Sequence, residues 1–165
     1  MCEICDRLSL PNRPGPKPRT TPQTPHMQLD QIAPAGMHER LIRVGSEFSG
    51  VSLGRSNVSL PDTLAFHLSP SLGRQASSDA FMVEGYEFAH VHAPRDCSLH
   101  MCLPMQVLEA VYAKGWGEPH PVAGKFGFPS TIAMIFGPRD ESEFKTVAGL
   151  LRTSYAFATG QVASV

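Results

Sequence analysis

The clearest run of ordered apolar positions lies near the C-terminus. Phe144, Val147, Ala148, Leu151, Ser154, Tyr155 and Ala158 recur at the 3.6-residue spacing of a helix with one buried face. Asp140 followed by Glu143 is an Asx form of the capping box, Glu141 adds negative charge to the first turn, and Gly160 supplies the exit. A second helix opens at Pro104, buries Val107, Leu108, Val111 and Tyr112, and ends at Lys114-Gly115. A third, of about two turns, is predicted from Met37, Leu41, Val44 and Phe48. Residues 56–60 (SNVSL) and 63–69 (TLAFHLS), separated by the turn former Pro61-Asp62, read as opening strands, and 70–79 as a surface loop. Residues 130–136 (STIAMIF) are apolar on both faces, as a central strand requires.

Between these elements lies a hairpin, 86–103, whose register decides which side chains share a face. A three-residue loop, 94–96, sets 91 opposite 99 and 90 opposite 100. One face then carries Ala89, Val91, Leu99, Met101 and Leu103, and the other carries Tyr86, Phe88, His90, His92, Ser98, His100 and Cys102. A four-residue loop would split the histidines, so the first register is expected. The elements together predict one small α+β domain over 35–165, a mostly antiparallel sheet covered on one face by two or three helices.

Residues 1–34 hold seven prolines and no period of 2 or 3.6, which reads as a disordered, proline-rich tail. Cys2 and Cys5 form a CxxC there, but no second ligand pair stands near enough for a zinc site. With 42% hydrophobic and 18% charged residues the chain can bury a core, and a net charge of -1 leaves no footprint for nucleic acid. No run approaches the roughly 18 apolar residues of a membrane span, so a cytoplasmic protein without an integral membrane segment is expected. Oligomeric state carries no signal.

Four of the seven histidines fall within 87–120, on the hairpin and in the loop GWGEPHP. His90, His92, His100 and His120 could supply a base titrating near neutrality and donors to an oxyanion, with Tyr86, Phe88 and Trp116 stacking on a planar ligand. The same HxH pair with a histidine opposite could instead ligate a metal at His90, His92 and His100. A non-catalytic small-molecule binder is the third reading. His67, among apolar neighbours, reads as structural, and His26 and His38 as bystanders.

The stretches EFAHVH, DCSLH, KGWGEPHPVAG, FGPRD and SYAFATG, in this order over 87–159, resemble the fungal luciferase family, enzymes that oxidise 3-hydroxyhispidin with molecular oxygen and emit light. The resemblance implies an oxygen-dependent oxidoreductase acting on a hispidin-like pyrone or related hydroxylated aromatic. In that chemistry the hydroxypyrone is deprotonated, oxygen adds to the ring and carbon dioxide is lost. No organic or metal cofactor is implied.

Overall fold

The computed structural model describes residues 10–83 and 85–164, and the CxxC pair lies outside them. Among the described residues the sheet has strands β1 (Val51–Arg55), β2 (Leu64–Leu68), β3 (Glu87–Val91), β4 (Leu99–Cys102), β5 (Gly117–Pro119) and β6 (Ile132–Ile135). Their order across the sheet is β1-β2-β3-β4-β6-β5, with every pair antiparallel. The helices are α1 (Met37–Ser46), a single turn α2 (Pro70–Gly73), α3 (Met105–Ala113) and α4 (Glu141–Ala158). The α+β class and the helices on one face are as expected.

Helix α4 starts where its sequence directs. Asp140 accepts a hydrogen bond from the Glu143 backbone N–H at 2.9 Å, whereas the Glu143 carboxylate reaches the Arg139 backbone N–H and guanidinium rather than closing the box on Asp140. At the other end Gln161 N–H bonds Ala156 O and Gly160 N–H bonds Phe157 O, a Schellman exit around Gly160 in the left-handed region. Phe144, Val147, Ala148, Leu151 and Phe157 bury themselves with Ala89, Val91, Leu99 and Met101, and Ser154 Oγ donates to the carbonyls of Phe88 and Cys102. The apolar side of the hairpin is thus sealed under α4, with α1 beside it.

The hairpin register is the expected one: Val91 pairs with Leu99, His90 with His100 and Ala89 with Met101. One local departure changes which side chains face the site. Between β2 and β3 the pairing steps from Phe66↔Ala89 to His67↔Glu87, so Phe88 is an extra residue opposite nothing. A one-residue slip turns side chains over. Glu87 therefore joins the histidine face, and Phe88 turns under the helices, its ring 6.2 Å from Phe66 and 6.1 Å from Tyr155.

Two other expectations are corrected. Residues 56–60 are a loop, and the first strand is 51–55. Side-chain hydrogen bonds hold the loop in bends: Ser56 Oγ and Asn57 N–H donate to Glu87, and Val58 N–H donates to Ser56 Oγ. The loop GWGEPHP contributes edge strand β5, where Gly117 is needed because a Cβ there would lie 2.2 Å from Met134 O.

Residues 10–34, expected as a disordered tail, pack along the domain instead. Leu10 is buried in the core, Trp116 Nε1 donates to Pro11 O, Arg13 N–H bonds Lys114 O, and Gln28 Oε1 accepts from Gly137 N–H. Prolines leave the segment without a period of its own, but several of its polar groups bond to groups of the domain. Its bridge Thr20↔Gln28 closes a loop that carries His26 over the sheet.

Candidate functional site

The sheet face opposite the helices forms the floor of a cavity of about 370 Å³, with His90, His92, His100, His120 and Ile132 among its lining. Residues 24–27, Val58, Ser59, Leu60, Val122 and Phe128 form the walls. All four histidines expected at the site are there, and all are buried. His92 and His100 rings lie 4.5 Å apart, His100 and His120 4.4 Å, and His90 and His100 5.0 Å, each edge to face. A fifth histidine, His26, stacks on His100 at 5.3 Å and meets His120 edge-on at 5.1 Å.

Tyr86, Phe88 and Trp116 do not line this cavity, which corrects the expected aromatic platform. The β3 bulge directs Phe88 to the core. Tyr86 packs against Phe81 beyond it, and Trp116 is buried with its N–H held by Pro11. Phe128, stacked at 6.4 Å on His120, is the aromatic ring that reaches the site. His67 bonds the Arg55 carbonyl and lies outside the cavity lining.

Three carboxylates orient three of the rings. Asp96, in the hairpin loop, lies 2.7 Å from His92 Nδ1, and its other oxygen accepts from Ser98 N–H. Glu87 lies 2.8 Å from His90 Nδ1, and Glu118 lies 2.8 Å from His26 Nε2. Each carboxylate can only accept when ionised, so these ring nitrogens carry the protons. His90 Nε2, left with its lone pair, then accepts from His100 Nδ1 at 3.0 Å. For neutral rings the consequence is a defined set of bare lone pairs: His92 Nε2, His100 Nε2 and His26 Nδ1. His120 is the reverse, because its Nδ1 accepts from Val122 N–H at 3.3 Å and its proton sits on Nε2.

Burial opposes charging four of the five rings, His26, His90, His100 and His120. Burial, reinforced by charge on the neighbouring rings, holds His100 well below the usual histidine range, and the same causes bring His120 down to about 3. Burial also lowers His90 and His26 against the opposing pull of Glu87 and Glu118. For Glu87 and Asp96 burial pushes upward, but hydrogen bonds from His90 and His92 with their backbone partners prevail, and both stay below the ordinary carboxylate value. Cys102, fully buried, is pushed up to about 12 and stays a thiol.

Residues 85–154 match the family model described as Luciferase domain. The luciferase of Armillaria ostoyae is 30% identical over 168 residues, covering 93% of this chain and 63% of that protein. The chain belongs to the fungal luciferase family. The luciferase of Neonothopanus nambi is 37% identical over 79 residues, 47% of this chain and 30% of that protein, and the luciferase of Armillaria gallica 37% over 81 residues. The chain thus spans less than two thirds of the length of these luciferases. No solved structure matches. Within the luciferase domain the matched region holds His90, His92, His100 and His120, while His26 comes from outside it. No helix among the described residues is long and apolar enough to cross a membrane.

Sequence reasoning missed His26, Glu87 and Asp96. His26 stands in a segment without periodicity and gave no signal. Asp96 could have been found, since the expected hairpin register places its loop beside His92.

Proposed function

We propose that this domain catalyses the oxygen-dependent oxidation of a hispidin-like pyrone or a related hydroxylated aromatic. The observation that carries the reading is the Asp96–His92 pair, which leaves a deprotonated ring nitrogen at a cavity walled by Val58, Leu60, Val122 and Phe128. A carboxylate-oriented neutral imidazole is the group needed to take the proton of an acidic ring hydroxyl. Loss of that proton makes the ring electron-rich enough to react with oxygen. In this reading His120, with its proton on Nε2, donates to the oxyanion, and the apolar walls keep water from competing for it. Phe128 offers the flat surface on which a planar substrate can lie. Kinship to luciferases supports the reaction class, and the remaining sequence divergence leaves the substituents on the ring to experiment.

Incubating the purified protein with hispidin and 3-hydroxyhispidin under oxygen, with substrate loss followed by mass spectrometry and oxygen uptake by electrode, tests the reading. Turnover that requires oxygen and is lost in His92→Ala is expected. Saturable binding with no consumption of either pyrone or oxygen would replace the enzyme by a binder.

A further inference from the structure

We infer that the floor of the cavity binds a divalent first-row transition-metal ion through His26, His100 and His120. This goes beyond the cofactor-free chemistry that the family resemblance implies, and it concerns the site of the reaction proposed above. The argument starts from two orphans. His100 Nε2 and His26 Nδ1 are buried without a hydrogen-bond partner, although both residues are only 3% exposed. Leaving a ring nitrogen so buried and unmatched costs free energy, and native proteins rarely tolerate it without a purpose. The tautomers worked out above put a lone pair, not a proton, on each.

One ring nitrogen from each of His26, His100 and His120 lies within 4.8 Å of the others, a spacing that one ion can span. The contact from Val122 N–H to His120 is long, at 3.3 Å, and is weak enough to yield to a metal bond. A second trio, His90, His92 and His100, is equally close, but His90 has no nitrogen to spare. His90 has both nitrogens engaged, one by Glu87 and one by His100. Two of the chosen trio also have the outer partners that histidine ligands ordinarily have. Glu118 holds His26, itself receiving the Thr20 hydroxyl at 2.6 Å, and His90 holds His100 with Glu87 behind it. Three imidazoles suit zinc, iron, copper or nickel, and disfavour magnesium or calcium. A bound ion would supply positive charge for the oxyanion, and His92 would remain the base.

The test uses the full chain, stripped with a chelator and titrated with Co(II), read by visible absorption, and with Zn(II) in competition with a chromophoric chelator. One equivalent per chain is expected. His26→Gln and His100→Gln should each weaken binding at least about 100-fold, Glu118→Gln about 10- to 100-fold, and His92→Ala should keep one equivalent. Circular dichroism checks that each variant is folded, and the wild-type titration stands without them. No uptake of either ion by the folded wild type would overturn the inference and leave water as the occupant. Uptake lost in His92→Ala but kept in His26→Gln would move the ion to the other trio and equally overturn it. Metal uptake without pyrone oxidation would sink the proposed reaction alone, and turnover by protein that takes up no ion would sink the metal site alone.

Discussion

His90 and His92 are two residues apart on one face of the sheet, yet their surroundings give them different tasks. His90 is enclosed between Glu87 and His100 and can only orient its neighbour, whereas His92 is braced by Asp96 and keeps a nitrogen for the cavity. His92→Ala should therefore lower kcat about 10²- to 10⁴-fold in protein that remains folded, the range for loss of a general base. Asp96→Asn should also lower kcat, because an amide can offer His92 a donor and invert its tautomer. Glu87→Ala belongs to a different class. It leaves the buried His90 without its carboxylate and takes the acceptor from the half-buried Ser56 hydroxyl and the Asn57 N–H, and should cost about 3 kcal/mol of stability, read by denaturant unfolding.

Two elements hold this chemistry in place. Helix α1 approaches the sheet closely enough that a Cβ on Gly45 would lie 2.3 Å from the Phe66 ring. Gly to Ala within a helix ordinarily stabilises by up to about 1 kcal/mol, but here overpacking against a buried ring should dominate and Gly45→Ala should destabilise by about 1–3 kcal/mol. An unchanged or higher midpoint would show that α1 can shift freely. The segment 10–34 is the second element. Removing residues 1–34 takes away the buried Leu10, the partners of Trp116 and Gly137, and the loop bearing His26. Burial of one leucine alone is worth about 1.5–3 kcal/mol, so a midpoint several degrees lower is expected, together with a cavity open along one wall. A truncated chain with the wild-type midpoint would mean that the segment contributes nothing to the fold.

At the scale of the whole molecule, the buried histidines set the response to acid. His26, His90, His100 and His120 all have folded-state values below the 6.5 of a free imidazole, His120 at about 3. The unfolded chain therefore binds protons below pH 6.5 that the native site refuses. Stability is fully present above pH 6.5 and is lost as pH falls from there toward the folded values, by up to about 1.4 kcal/mol per pH unit for each ring. Glu87 and Asp96, also lowered, add a further loss once pH drops below their unfolded values of 4.5 and 3.8. Thermal unfolding of chelator-treated protein should show a midpoint level from pH 7 to 8 and falling steeply between pH 6.5 and 4.5. A midpoint that stays level to pH 5 would mean that the rings are hydrated and protonate freely.

What the sequence determined by itself was local and periodic. The caps and stripe of α4, Pro104 at the start of α3 and the hairpin register are all written in spacings of a few residues, and that register alone put His90 opposite His100. Those signals act between near neighbours, where side-chain period and turn chemistry are sufficient physics. The tertiary structure decided the rest. A single bulged residue sent Phe88, expected on the histidine face, into the core and brought Glu87 to the histidines. His26 reached the site through bonds to groups about 90 positions distant, and no local pattern encodes a partner so far away. Which ring nitrogens carry protons was likewise settled by Asp96, Glu87, Glu118 and Val122 arriving from different elements, because a tautomer is a property of the assembled network rather than of the residue.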